Sequence, residues 1–112
     1  MKSRIIIVPK NKESERLLII NEAKEDQLII LNINENDNLF LFEKGIVDII
    51  NSECNVIIDD FEDEMIIDIT KIKKTVSILE KINISEKSEI ILKLIGLFEE
   101  ALIRGTGVFF YF

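Results

Sequence analysis

Between residues 85 and 112 the hydrophobic period of the chain changes, and no other feature limits the fold as much. Ile90, Ile91, Leu94, Leu97, Phe98, Ala101 and Leu102 recur at three- and four-residue spacing, the signature of one apolar helix face. Ser85 is suited to cap such a helix, Glu86 and Glu89 sit where carboxylates complement its positive end, and Gly105 offers a left-handed stop. The spacing predicts a helix over 85–104. Gly105, Thr106 and Gly107 then make a tight turn, and Val108, Phe109, Phe110, Tyr111 and Phe112 read as a strand. That strand is expected in the domain's own sheet, with its aromatics under the preceding helix. The alternative is that it pairs with the sheet edge of another chain.

The remaining segments fit the same α+β class. Arg4, Ile5, Ile6, Ile7 and Val8 form a β-branched run that stops at Pro9, a buried strand. Residues 11–26 admit two readings: a helix capped by Asn11, or a strand over 17–20 followed by a polar turn. Residues 27–33 read as a strand and 34–38 as a polar loop. Asp37 or Asn38 then caps a helix with Phe42, Ile46, Ile49 and Ile50 on one face and Glu43 and Asp48 on the other. Gly45 inside that helix costs about 1 kcal/mol relative to Ala, which implies either a closely packed neighbour or a weakened helix.

Residues 56–58 and 65–67 flank an acidic block and admit two readings, two short strands joined by an acidic loop or one helix using Ile58, Phe61 and Met65; the block's low strand propensity favours a loop or helical turn between apolar ends. From Asp68 a helix returns, with Ile69, Ile72, Val76, Leu79 and Ile82 as its stripe. The expectation is a single α+β domain over 1–112, with a mixed or antiparallel sheet of about three to five strands packed on about three helices.

A chain of 112 residues with 47% hydrophobic content can bury one core, so its 31% charged content does not make it disordered. Cys54 has no partner for a disulfide, and there is no His. The apolar run before Pro9 is too short for a signal peptide, and no stretch is long enough to span a bilayer. A cytoplasmic protein without membrane contact is expected.

Charge is segregated along the chain. Residues 25–68 hold thirteen acidic side chains and one basic one, Lys44, whereas the formal net charge of the whole chain is only −7. The densest part is Asp59, Asp60, Phe61, Glu62, Asp63 and Glu64. Carboxylates alone do not make an enzyme: without His, the commonest general base near neutral pH is missing, so no catalytic residues are assigned. The acidic block lacks the alternating ligands and the glycine of an EF-hand, so no metal site is assigned. Gly105 and Gly107 follow a helix and precede a strand, the reverse of a phosphate-binding loop, and Cys54 has no His to activate it. No cofactor is expected.

Two readings of the acids remain: a solvated face that keeps an Ile-rich protein soluble, and an electrostatic surface for a basic partner. An acidic face repels phosphates, so direct nucleic-acid binding is not expected. The candidate partner-binding residues are Asp48, Asp59, Asp60, Phe61, Glu62, Asp63 and Glu64, although an aromatic such as Phe61 is more commonly turned inward.

The segment from Phe42 through Glu43, Lys44, Gly45, Ile46, Val47, Asp48, Ile49 and Ile50 to Asn51, the block Ile58 to Glu62, and the ending Gly105 to Phe112 together resemble bacterial immunity proteins of polymorphic toxin and contact-dependent inhibition systems. The resemblance implies an antidote that binds a cognate, basic toxin domain and blocks it stoichiometrically, as a monomer or weak dimer. Two alternatives stand beside it: an adaptor or subunit of another complex that uses the terminal strand, and an acidic nucleic-acid mimic that inhibits a DNA-binding enzyme.

Overall fold

The computed structural model describes residues 3–112. Four strands, β1 (Arg4–Pro9), β2 (Leu28–Ile33), β3 (Glu64–Ile66) and β4 (Val108–Tyr111), form one sheet in the order β2-β1-β4-β3, with every neighbouring pair antiparallel. Five helices complete the domain: α1 (Lys12–Ile19), α2 (Glu35–Glu43), α3 (Ile46–Cys54), α4 (Ile69–Glu86) and α5 (Glu89–Arg104). The α+β class, the antiparallel sheet and the place of the C-terminal strand within it agree with the sequence. Two helices more than expected arise from the undecided stretch 11–26 and from a break at Gly45.

Alternation along the strands sorts side chains onto two faces. Ile6, Val8, Val108, Phe110 and Ile66 point into a core shared with Ile72, Leu79, Ile91, Leu94 and Phe98 of α4 and α5. Ile7 and Phe109, paired across β1 and β4, lie buried on the opposite face, where α1 packs. Phe110 lies 6.2 Å from Phe98 and 5.7 Å from Phe112, and Phe112 lies 6.4 Å from Phe42, so tilted ring contacts tie α5, β4 and α2 into one core. Because β4 is hydrogen-bonded on both edges, it has no edge to offer another chain.

Helix boundaries follow their caps. Asn11 accepts from the Ser14 N–H at 2.8 Å and starts α1, which settles the helix reading of that stretch. Asn34 accepts from the Asp37 N–H at 2.8 Å, so the expected polar loop over 34–38 is instead the first turn of α2, and neither Asp37 nor Asn38 is its cap. Gly45 adopts φ 74°, a left-handed conformation that ends α2 and lets α3 begin. A Cβ there would meet nothing within 4 Å, so backbone conformation, not a tight neighbour, explains the glycine.

Asp68 caps α4, accepting from the Thr70 N–H at 2.8 Å. That helix runs through Ser85 to Glu86, so the expected start of α5 at Ser85 moves to Ser88, past a left-handed turn at Lys87. Ile69, expected on the buried stripe of α4, is 53% exposed because it occupies the first turn, ahead of the packed part of the helix. α5 ends as expected at Gly105, φ 69°.

The turn into β4 is crowded. A Cβ on Gly107 would lie 2.6 Å from Ile67 Cγ2 and 3.0 Å from the Ile66 carbonyl oxygen, and its N–H donates to Glu15 Oε2 at 2.6 Å. Thr106 Oγ1 donates to the Pro9 carbonyl at 2.8 Å, so α1, β1, β3 and β4 meet at this corner. None of the described helices is long and apolar enough to cross a membrane.

Candidate functional site

The acidic segment runs from one edge of the sheet to the other, leaving at β2 and returning at β3 through α2, α3 and the loop over 55–63. Its two ends meet at one cation. Arg4 opens β1, where alternation turns its side chain toward the core face, and it is only 7% exposed. Its Nε donates to Asp60 Oδ1 at 2.5 Å and Nη2 donates to Asp60 Oδ2 at 3.0 Å, a bidentate pair, while Nη1 donates to Glu35 Oε1. Hydrogen bonding to Asp60 and then Glu35 pushes the guanidinium above its ordinary pKa, so it remains a cation at any physiological pH. Two carboxylates 25 residues apart in sequence are thereby held around one positive charge.

The block over 59–64 is neither helix nor plain loop. Asp59 and Glu62 form an isolated antiparallel bridge, with Asp60 and Phe61 at the tip of the turn between them. Asp59 Oδ1 accepts from the Phe61 N–H at 2.9 Å, an Asx turn that fixes the tip. Glu64 Oε2 accepts from the Ile57 N–H at 2.8 Å and Oε1 from the Met65 N–H at 2.9 Å, closing the base of the turn. Asn51 of α3 binds both backbone groups of buried Ile58, accepting from its N–H at 2.7 Å and donating to its carbonyl at 3.0 Å. Asn51 thus ties α3 to the acidic turn, and Asp48 stands one helical turn before it on α3.

The seven candidate residues therefore differ in their surroundings. Asp48, Glu62 and Asp63 are exposed, and their carboxylates make no hydrogen bond or ion pair with any described residue. Asp59 and Glu64 are half-buried and hold the turn while keeping their charge outward. Asp60 is bound by Arg4. Phe61 was expected to fold inward, but it is 85% exposed, because the tip of a two-residue turn projects away from the sheet. Lys74 of α4 donates to the Glu53 carbonyl at 2.7 Å, so lysines border the acidic surface where α3 ends.

Arg4, Glu35 and Asn51 were not singled out from the sequence. The available signal was Arg4 itself, a charged residue in a strand otherwise apolar and destined for burial. Tyr111 lies at the other side of the turn: burial, and then the negative charge of Asp63, raise its phenol above the ordinary pKa of 10.0.

No protein-family model and no curated protein matches this chain. Among solved structures it is similar to a protein described as "Neisseria DNA mimic protein DMP12", with a TM-score of 0.70 and 23% identity over 99% of this chain and 100% of that one. The two share a fold over their whole length. This finding corrects the partner expected from the sequence. The similar structure belongs to a DNA mimic, a different kind of molecule from a toxin's antidote, so the toxin domain is withdrawn as the partner.

Proposed function

We propose that this protein is an acidic nucleic-acid mimic that occupies the DNA-binding surface of a basic protein and so keeps duplex DNA from it. The observation that carries the reading is the exposed set of carboxylates on Asp48, Glu62 and Asp63, which have no partner among the described residues, in a segment with thirteen acids and one base. The likeness in fold to a DNA mimic supports it. A DNA duplex presents roughly one negative charge per 1.7 Å of its axis, and proteins that bind it carry Lys and Arg placed for that array. Carboxylates on a rigid scaffold can meet the same cations. The array attracts the partner at long range and selects it by charge, while only the pairs that lose water at the centre of the contact add much affinity.

Rigidity is needed for such a contact, and Arg4 supplies part of it. A buried cation offsets repulsion between Glu35 and Asp60 and fixes where the turn sits relative to α2. Phe61 at the tip adds an aromatic surface within the ring of charges. The action is stoichiometric binding and needs no chemistry from the carboxylates.

The test is capture from a host extract already selected on duplex-DNA resin, with this protein immobilised and the bound fraction then challenged with duplex oligonucleotide. Proteins retained at low salt and released by the duplex are expected. A variant carrying Asp48→Lys, Glu62→Lys and Asp63→Lys should retain none of them. Retention unaffected by both duplex and charge reversal would remove the reading.

A further inference from the structure

The outer face of the sheet is covered unevenly. α1 lies over Ile7 and Phe109, and the chain then turns at Asn21, φ 61°, toward β2, the strand farthest from β3. Met65 pairs opposite Phe109, so both lie on that outer face, yet Phe109 is buried and Met65 is 44% exposed. What remains between the end of α1 and β3 is a groove of about 240 Å³. Leu18, Met65 and Phe109 give it an apolar floor, and Asp63, Glu64 and Tyr111 supply its polar groups.

None of those polar groups is matched by a cation. Asp63 makes no hydrogen bond or ion pair with any described residue, and Glu64 accepts only from the Ile57 and Met65 N–H groups. No Lys or Arg is among the lining residues, so both negative charges stand. The Tyr111 hydroxyl has no hydrogen-bond partner among the described residues, and Asp63 is near enough for its charge to raise the phenol's pKa. The volume lies below the roughly 300–1,000 Å³ usual for small-molecule pockets and suits one long side chain.

Charge selects the occupant. A second copy would set another chain of net charge −7 against two carboxylates, and a nucleic acid would bring phosphates, so both are repelled. A purely apolar side chain would cover the carboxylates and leave them short of water. An arginine satisfies each part: its stem lies on apolar surface, its planar head stacks on an aromatic ring, and its N–H donors reach a carboxylate and a hydroxyl together. We propose that the groove between α1 and β3 seats an arginine of the basic partner, its stem against Leu18, Met65 and Phe109 and its guanidinium between Asp63 and Tyr111. That the partner binds DNA rests on the proposed mimicry, whereas the groove's preference for a guanidinium does not. The groove gives the contact a shaped anchor beside the charged turn, and the flexible thioether of Met65 lets its floor adjust.

The chain has one Tyr and no Trp, so its fluorescence, excited beyond the Phe band, reports Tyr111 alone. N-acetylarginine amide, titrated into the full chain, is expected to change that fluorescence saturably at roughly millimolar concentration, the range for so small a ligand. Its neutral isostere N-acetylcitrulline amide should have little effect, and Asp63→Asn should weaken the arginine response about threefold or more. Met65→Trp fills the groove and keeps every carboxylate. In competition for the captured DNA-binding protein it should need about fivefold more protein than wild type to release the duplex. No saturable response to the arginine probe, an equal response to citrulline, or a fluorescence change on raising protein concentration alone, which would put a second copy in the groove, overturns the proposal. Failure of the wild type to release duplex removes the mimicry and leaves the arginine titration to decide the groove. Equal release by wild type and Met65→Trp overturns the groove's role while the mimicry stands.

Discussion

Asn51 is the residue on which the position of the acidic turn depends most directly, and its substitution has a calculable cost. Its side chain bonds both backbone groups of Ile58, at 2.7 Å and 3.0 Å, and Ile58 is only 3% exposed. Asn51→Ala removes two hydrogen bonds, each worth about 0.5–1.5 kcal/mol net, and leaves two backbone groups at a buried residue with little access to water. The expected loss is about 1–3 kcal/mol, toward the upper end because of that burial. Asn51→Asp keeps the acceptor for the Ile58 N–H but sets a carboxylate oxygen against the Ile58 carbonyl. It should be at least as damaging near neutral pH and recover in acid, where a protonated carboxyl donates to that carbonyl. The sign is that of a carboxyl whose folded-state pKa is raised: the stabilising bond is complete below about pH 4 and is lost as pH rises.

The assay is urea denaturation for the global change, together with amide exchange of residues 56–64 for the local one. Protection of the Ile58 amide should fall in Asn51→Ala by more than global unfolding explains. If that protection is unchanged, or if Asn51→Asp is indistinguishable from wild type at neutral pH, the clamp does not hold the turn and the reasoning fails.

Three further outcomes are expected. Gly107→Ala should cost about 1–3 kcal/mol in denaturant, because its Cβ would stand 2.6 Å from Ile67 Cγ2 and 3.0 Å from a backbone oxygen that cannot swing aside. Gly45→Ala should cost about 1–2 kcal/mol through φ 74° alone, with Gly45→Asn costing less since Asn tolerates the left-handed region. The Tyr111 phenol, followed by its ultraviolet absorbance, should titrate above 10.0 and move partway back in Asp63→Asn, since burial is the larger cause. Its raised pKa favours the neutral phenol in the folded state, so its contribution to stability is intact below pH 10 and is lost as pH rises through the raised value.

Local sequence signals carried much of the fold. The period change after Gly105, the β-branched run over residues 4–8 and the stripe from Ile72 to Ile82 each act within one element, and each element formed as expected. Boundaries failed where two polar residues compete for a cap. Asn34, not Asp37 or Asn38, took the first turn of α2, and Ser85 stayed inside α4 because the left-handed turn came at Lys87. Gly45 reads as a cost inside a helix until its φ shows that it separates two helices.

The candidate site was legible as composition and not as geometry. That residues 25–68 are acidic is plain from the sequence, but nothing local says that Asp60 meets Arg4 from the opposite end of the chain's first 60 residues, or that Phe61 points out. Those facts depend on contacts between segments far apart in sequence. A spacing rule has no access to them.

The most direct measurement of the central claim is competition for a DNA-binding protein captured as described above. A fluorescent duplex is bound to that protein, and its anisotropy is followed as this protein is added. Mimicry predicts release of the duplex near one equivalent of inhibitor, weakened by salt, and no release by the variant with Asp48, Glu62 and Asp63 all changed to Lys. A ternary complex that keeps the duplex bound, or equal release by the charge-reversed variant, would contradict it.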